Sequence, residues 1–282
     1  MSKVTLVTDS TAYIPQNLVD QYKIVVASQV LVWGNETLRD GIDIMPDQFY
    51  ARLAKATIMP STSQASPADF ELIFNELLAK GQDVLAVLIS SKLSGTMDSA
   101  NQAWFTLDGA PLEVIDSHTT AMALGFLVLK AARAAESGAS LKECKALVEH
   151  YKPKVGALFS VDTLEFLHRG GRIGGASRLL GTALNIKPLL ELVDGRIEPV
   201  EKVRTRRKAL ARLVELLGER TGGDKPLRVS VIHANARAEA AAVLEEVKSK
   251  FNLVECFLSD VSPVVGTHAG PGTVAITYMI ED

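Results

Sequence analysis

Three stretches in the first half of the chain repeat one shape: an apolar run, a cluster of serine, threonine and aspartate, then a helical pattern. They are "VTLVTDSTA" (residues 4–12), "VLAVLISSKLSGT" (84–96) and "LEVIDSHTTA" (112–121). Short apolar runs closed by such turns read as strands buried on both faces, the pattern of a parallel sheet. The helical stretches near residues 47–55, 67–80, 96–105 and 119–137 are long enough to serve as crossovers between them. Ser, Thr and Asp are the residues that cap helix N-termini. In an open parallel sheet the carboxyl ends of the strands lie along one rim, and ligands bind there. The three hydroxyl-rich turns are therefore expected to share one crevice.

The second half reads differently. "VGALFSV" (155–161) is a strand, and "LLELVDGRIEPVEKV" places two extended runs around Asp194-Gly195, a strong hairpin signal. A helix over 205–217, a strand "RVSVIHA", a helix over 236–248 and strands "LVECFLS" and "TVAITYMI" follow. Hairpins mixed with helices predict an α+β layer, with helices on one face of a mixed sheet. The expected architecture is α/β with two domains: a parallel-sheet α/β domain over 1–152 and an α+β domain with a mixed sheet over 153–282.

Composition narrows the function classes. The chain has 282 residues, 47% of them hydrophobic, which is enough for a sizeable core. Thirty basic against thirty-three acidic side chains give a net charge of −3, which argues against a general nucleic-acid or membrane-surface binder. Cys144 and Cys256 lack the spacing of a zinc or redox motif, so no metal site and a reduced interior are expected. The apolar helix near 121–129 is far shorter than the roughly 20 residues of a membrane span. With strand pattern starting at once and no signal-peptide pattern, a soluble cytoplasmic protein without stable membrane insertion is expected.

The chemistry-bearing motifs are clusters of donors. Ser94 lies in "KLSGT", which lacks the first glycine of a nucleophile elbow, although His268 and Asp116 could complete a triad on paper. In "MPSTSQASPADF" Ser66-Pro67 explains itself as a helix start, whereas Ser61, Thr62, Ser63 and Gln64 have no such role. "VVGTHAGPG" sets His268 among glycines in what reads as a turn before the last strand; His268 could pair with an anion as a cation or donate when neutral. "KVRTRRK" packs Lys202, Arg204, Arg206, Arg207 and Lys208 into seven residues at a helix start, where cations oppose the macrodipole. "LHRGGRIGG", with Arg172, is only loosely like a phosphate loop. No nucleotide-binding glycine motif is present, so any ATP chemistry would need another protein.

The ordered motifs "TDSTAYIP", "PSTSQASPADF", "ISSKLSGTMDSA", "VIDSHTTAMALG", "VDTLEFLHRGGRIG", "VRTRRKAL" and "GTHAGPGTVAI" resemble those of the DegV family of bacterial fatty-acid-binding proteins, which includes the FakB subunits of fatty acid kinase. The resemblance runs from Val4 to Ile280. It implies a two-domain α/β carrier holding one long-chain fatty acid, such as palmitate, at the domain interface, as ligand rather than cofactor. The head group would be held by Thr62 and Ser94 with His268 beside them, and by their neighbours Ser63, Gly95 and Thr267. It implies no catalytic residue in this chain. In kinase-linked members the acyl chain is presented to a separate ATP-dependent fatty acid kinase subunit; Arg204, Arg206 and Arg172 are the expected partner or phosphate contacts. Ser61 stands where the family often has Thr, and Arg207 where Lys is common. The alternative reading is an enzyme, either a serine esterase using Ser94 or a kinase-like phosphotransferase.

Overall fold

The computed structural model describes residues 3–107, 109–181 and 186–282. The first part of the chain carries strands β1 (Val4–Asp9), β2 (Val25–Ala27), β3 (Val30–Trp33), β4 (Glu36–Arg39), β5 (Ser61–Ser63), β6 (Asp83–Leu88) and β7 (Leu112–Asp116). Its helices are α1 (Gln16–Tyr22), α2 (Pro46–Leu53), α3 (Pro67–Ala79), α4 (Thr96–Phe105), α5 (Ala121–Glu136) and α6 (Leu141–Tyr151). The second part has β8 (Val155–Ser160), α7 (Glu165–Arg169), β9 (Lys187–Val193), β10 (Arg196–Val203), α8 (Arg206–Thr221), β11 (Leu227–His233), α9 (Arg237–Lys250), β12 (Leu253–Asp260), α10 (Pro263–Ala269) and β13 (Val274–Ile280).

The three repeated apolar runs are β1, β6 and β7, which with β2 form a four-stranded sheet in the order β2-β1-β6-β7, parallel throughout. Their turns do meet at one rim. Buried Asp9 accepts hydrogen bonds from the backbone of Thr11 at 3.0 Å and of Ile89 at 2.8 Å, and Ser90 N–H donates to Thr119 O at 2.9 Å. Burial raises the Asp9 carboxyl above the ordinary carboxylate range, and these donors pull the other way. Ser66 caps α3 and Asp69 closes the capping box, as the sequence signals.

A second sheet of six strands runs β10-β9-β8-β13-β11-β12, mixed because only β11 and β12 pair in parallel. The Asp194-Gly195 hairpin joins β9 and β10, with both residues at positive φ (47° and 79°), the geometry of the type that Asp-Gly favours. Its tip reaches the first sheet, where Ser90 Oγ donates to Gly195 O at 3.0 Å. Helices α8 and α9 cover one face through Leu213, Leu217, Val243 and Val247. The other face turns inward.

Helix α5 explains how the two sheets become one body. Residues 121–129 are apolar and buried all round, with Met122, Leu124, Phe126, Leu127 and Leu129 fully buried, as befits a helix between two layers. Each such side chain contributes about 1.5 to 3 kcal/mol on burial. Phe126 stacks on Phe257 of β12, and Lys130 and Arg133 pair with Glu281 and Glu255 at the helix end. The chain is thus a two-domain α/β protein with a parallel sheet and a separate mixed sheet. Among the described residues no helix is long and apolar enough to cross a membrane.

One layer was not foreshadowed. β3, β4 and β5 form a small antiparallel sheet, order β4-β3-β5. Thr62 therefore lies on a strand, paired with Leu31, and not on a loop of the parallel-sheet rim.

Candidate functional site

Between the inner face of the six-stranded sheet, the rim turns and α10 lies a cavity with about 990 Å³ of empty space, part of it open to solvent. Its walls are apolar: Phe159, Ile232 and Ala275 from the sheet, Ile89 and Leu93 from the rim, and Val264 and Val265 from α10. Ala275 pairs across the sheet with both Phe159 and Ile232, so the three line one continuous patch.

The polar lining sorts into hydroxyls already committed and hydroxyls still available. Thr11 donates to Asp9 at 2.6 Å, Thr273 to Ala269 O and Gly270 O at 2.9 Å, and Thr277 to Ser230 O at 3.2 Å. Thr120 Oγ1 is buried without a partner, and Thr62, Ser63 and Ser94 are grouped with Gln64, Arg172 and His268. Several contacts hold this group together. Thr62 Oγ1 and His268 Nε2 are 2.8 Å apart, the Gln64 amide packs over Gly95, and Arg172 donates to Leu93 O at 2.9 Å and Gly170 O at 2.7 Å. Beyond the group a second, polar recess opens, lined by Ser61, Arg169, Phe166 and Met59 and sharing Thr62, Arg172 and His268 with the apolar cavity.

His268 sits in the last turn of α10, so the "VVGTHA" segment is helix where the sequence reads as a turn. Gly266 is needed there because a Cβ would lie 2.5 Å from the Tyr50 hydroxyl. The ring lies on Gly170, whose own Cβ would fall 2.0 Å from His268 Nδ1. Burial, and then the Arg172 charge, push His268 down to about 4, so the ring is neutral near pH 7. Nδ1 is buried without a partner. A hydrogen there would be an unsatisfied donor beside a guanidinium, so the tautomer with hydrogen on Nε2 is favoured. Nε2–H then donates to Thr62 Oγ1, and the Thr62 hydrogen is free to donate into the cavity.

The triad imagined from the sequence is not assembled. Asp116 accepts from the backbone of Ser91 at 3.2 Å and His118 at 2.9 Å, and His268 is engaged with Thr62 rather than Ser94. Ser94 Oγ instead bonds Thr96, at 2.8 Å to its hydroxyl and 3.3 Å from its N–H. Gly95 is the N-cap residue of α4, which brings a positive dipole end to the group.

Other expected residues lie elsewhere or act otherwise. Thr267 donates to Pro263 O at 2.9 Å, within its own helix. Arg206 is held by Glu239 at 2.7 Å with Asp162 at 3.7 Å, so its guanidinium is already matched by carboxylates, whereas Arg204 is exposed. Arg172, expected as a partner or phosphate contact, lies in the polar group itself. Gln29 reaches this group through Thr96 and belongs to no motif of the sequence; a lone glutamine inside the apolar alternation "VVASQVLVW" is the one available signal. No cluster of three or more His, Cys, Asp or Glu suited to a metal occurs among the described residues.

Comparison with known proteins agrees on one family. A family model described as "uncharacterised protein, DegV family" matches residues 3–281. Protein DegV of Bacillus subtilis is 38% identical over 280 residues, covering 99% of each chain. The solved structure of a DegV family protein from Thermus thermophilus, described by its fatty acid binding, superposes with a TM-score of 0.93 at 34% identity, covering 99% of this chain and 100% of that one. DegV of Bacillus subtilis, described as a fatty acid binding protein, superposes at 0.91 with 37% identity over 100% of both chains. The chain is a member of the DegV family.

Proposed function

We propose that this protein is a non-catalytic carrier of one long-chain fatty acid. The carboxylate accepts hydrogen bonds from Thr62 and Ser94, with His268 beside them orienting the Thr62 hydroxyl, and the tail lies in the apolar cavity between the two domains. The observation that carries this reading is an apolar cavity with the Thr62 and Ser94 hydroxyls, Arg172 and His268 gathered in its wall. A carboxylate accepts hydrogen bonds and donates none, so it is matched by the Thr62 and Ser94 hydroxyls, the α4 N-terminus and the nearby Arg172 charge. Each buried methylene contributes about 0.8 kcal/mol, so a sixteen-carbon chain gains roughly 10 kcal/mol before entropy and ordering costs. Relatives described as fatty acid binding share the whole fold.

A further part of the proposal is that the bound acid is presented to a separate ATP-dependent kinase subunit. The polar recess with Arg169 and Arg172 gives such a subunit a route to the carboxylate. Exposed Arg204 is left as the partner contact of the basic stretch, since Arg206 is engaged by Glu239. Against the esterase alternative, the hydrogen bonds of Ser94 Oγ among the described residues go to Thr96 and not to a histidine or carboxylate.

Solvent extraction of the purified protein followed by mass spectrometry tests the carrier reading. One long-chain acid per chain is expected. An empty protein that hydrolyses p-nitrophenyl esters would reverse it. Incubation with fatty acid, ATP and magnesium tests the division of labour: acyl phosphate is expected only after a kinase subunit is added, and acyl phosphate formed without it would refute the carrier role.

A further inference from the structure

Gln29 lies between β2 and β3 and is only 2% exposed. Its side-chain oxygen accepts the backbone N–H of Ala65 at 3.2 Å. A backbone N–H can only donate, so this bond fixes which end of the amide is oxygen. The amide nitrogen is then the end that faces Thr96 Oγ1, at 2.8 Å, and Thr96 accepts that hydrogen. The Thr96 side chain is fully buried, and among the described residues the other hydrogen-bonding neighbour of its hydroxyl is Ser94 Oγ, at 2.8 Å. A buried hydroxyl hydrogen finds a partner, so the Thr96 hydrogen goes to Ser94. Ser94 Oγ also receives the Thr96 N–H at 3.3 Å. Both acceptor positions of Ser94 are now filled, and its single hydrogen points to the cavity.

We propose that Gln29, acting through Thr96, holds Ser94 as a hydrogen donor and thereby makes the site select an ionised carboxylate over head groups that bring a hydrogen of their own. Gln29 and Thr96 are positioning residues; Thr96 lies outside the cavity lining, and Gln29, which reaches that lining, acts on Ser94 through Thr96. The proposal rests on the fatty-acid reading above and adds the source of its head-group selectivity. With Thr62 also oriented as a donor by His268, the site offers two inward hydrogens to one head group. A carboxylate accepts both. A fatty alcohol of equal length accepts more weakly and must place its own hydrogen among oriented donors. The same glutamine bridges the β5–α3 turn, through Ala65, to the β6–α4 turn, through Thr96, so both donor-bearing segments share one clamp.

The test is the ratio of affinities for palmitic acid and hexadecanol, measured on delipidated protein by displacement of a fluorescent fatty acid. Thr96→Val and Gln29→Met remove the relay and leave Ser94 in place; each is expected to lower the acid-to-alcohol ratio about tenfold, the scale of one redirected charge-assisted hydrogen bond. Thr96→Ser, which keeps the hydroxyl, restores the ratio. Partial misfolding weakens both ligands alike and leaves the ratio unmoved, so the ratio separates positioning from general damage. An unchanged ratio in both relay variants overturns the proposal even where both affinities fall. Wild-type protein that binds neither ligand overturns the fatty-acid reading itself, and with it the selectivity built on that reading.

Discussion

Thr62 Oγ1 and His268 Nε2 meet at 2.8 Å although 206 residues separate them, which joins the small antiparallel sheet to the last helix. The contact exists because Gly170 leaves room for the imidazole and Gly266 lets α10 settle on Tyr50 and Phe49. It turns a neutral histidine into the group that orients a threonine hydroxyl.

Removing one head-group donor weakens binding without unfolding the protein. Thr62→Ala and Ser94→Ala are each expected to lower fatty-acid affinity by about 1 to 3 kcal/mol, the range for a hydrogen bond to a charged group. Calorimetric titration of the delipidated variants measures this. Unchanged affinity in both would move the head group elsewhere.

Much of this arrangement is legible from sequence, and the limits have physical causes. The parallel strands, their shared rim, the Asp-Gly hairpin and the Ser66 cap are set by local patterns, and each forms where those patterns indicate. Thr62 reads only as one of four donors without a structural role because three residues of strand are too few to show a period of two. The α10 helix is hidden because Gly266, which serves close approach, stands next to Gly270 and Gly272, which make the turn that follows at positive φ. Arg206 reads as a free cation because nothing local reveals that Glu239, 33 positions away, will match it. Gln29 escaped for the same reason: its partners, Ala65 and Thr96, are distant in sequence.

The Gly170 contact gives a second prediction. Gly170 has φ −74°, so alanine fits the backbone there and only the imidazole is displaced. Gly170→Ala is expected to weaken fatty-acid binding by about 1 kcal/mol with His268 intact, as one misplaced hydrogen-bonding partner would. Side-by-side titration with His268→Ala checks it, and the two losses are expected to be similar.

The acyl cavity gives a third. Ala275→Leu adds bulk between Phe159 and Ile232. It is expected to shorten the preferred chain, lowering affinity for sixteen carbons more than for twelve, at about 0.8 kcal/mol for each methylene excluded. Competition between acids of graded length reads the shift directly.

Acid stability gives a fourth, with opposite signs at two residues. Burial raises Asp40 from 3.8 to about 6, partly offset by bonds from Ser10 and Ser262. The folded state therefore binds more protons than the unfolded state between these values, and Asp40 lowers stability as pH rises through that window, by an amount on the order of 2 to 3 kcal/mol. His268 is lowered from 6.5 to about 4, so there the unfolded state binds more protons and stability falls as pH drops below 6.5. Between pH 4 and 6, Asp40→Asn is expected to make the slope of melting temperature against pH more positive, and His268→Gln to make it more negative. Melting curves across that range decide it.

The central claim is that a fatty carboxylate sits against Thr62, Ser94 and His268, and carbon-13 NMR of carboxyl-labelled palmitate bound to the protein tests it most directly. The account predicts one bound carboxyl resonance per chain, distinct from free acid, that moves in Ser94→Ala and in Thr62→Ala. Because His268 is already neutral, that resonance and the affinity are expected to stay nearly constant from pH 6.5 to 8. A bound resonance identical in wild type and both variants would contradict the account.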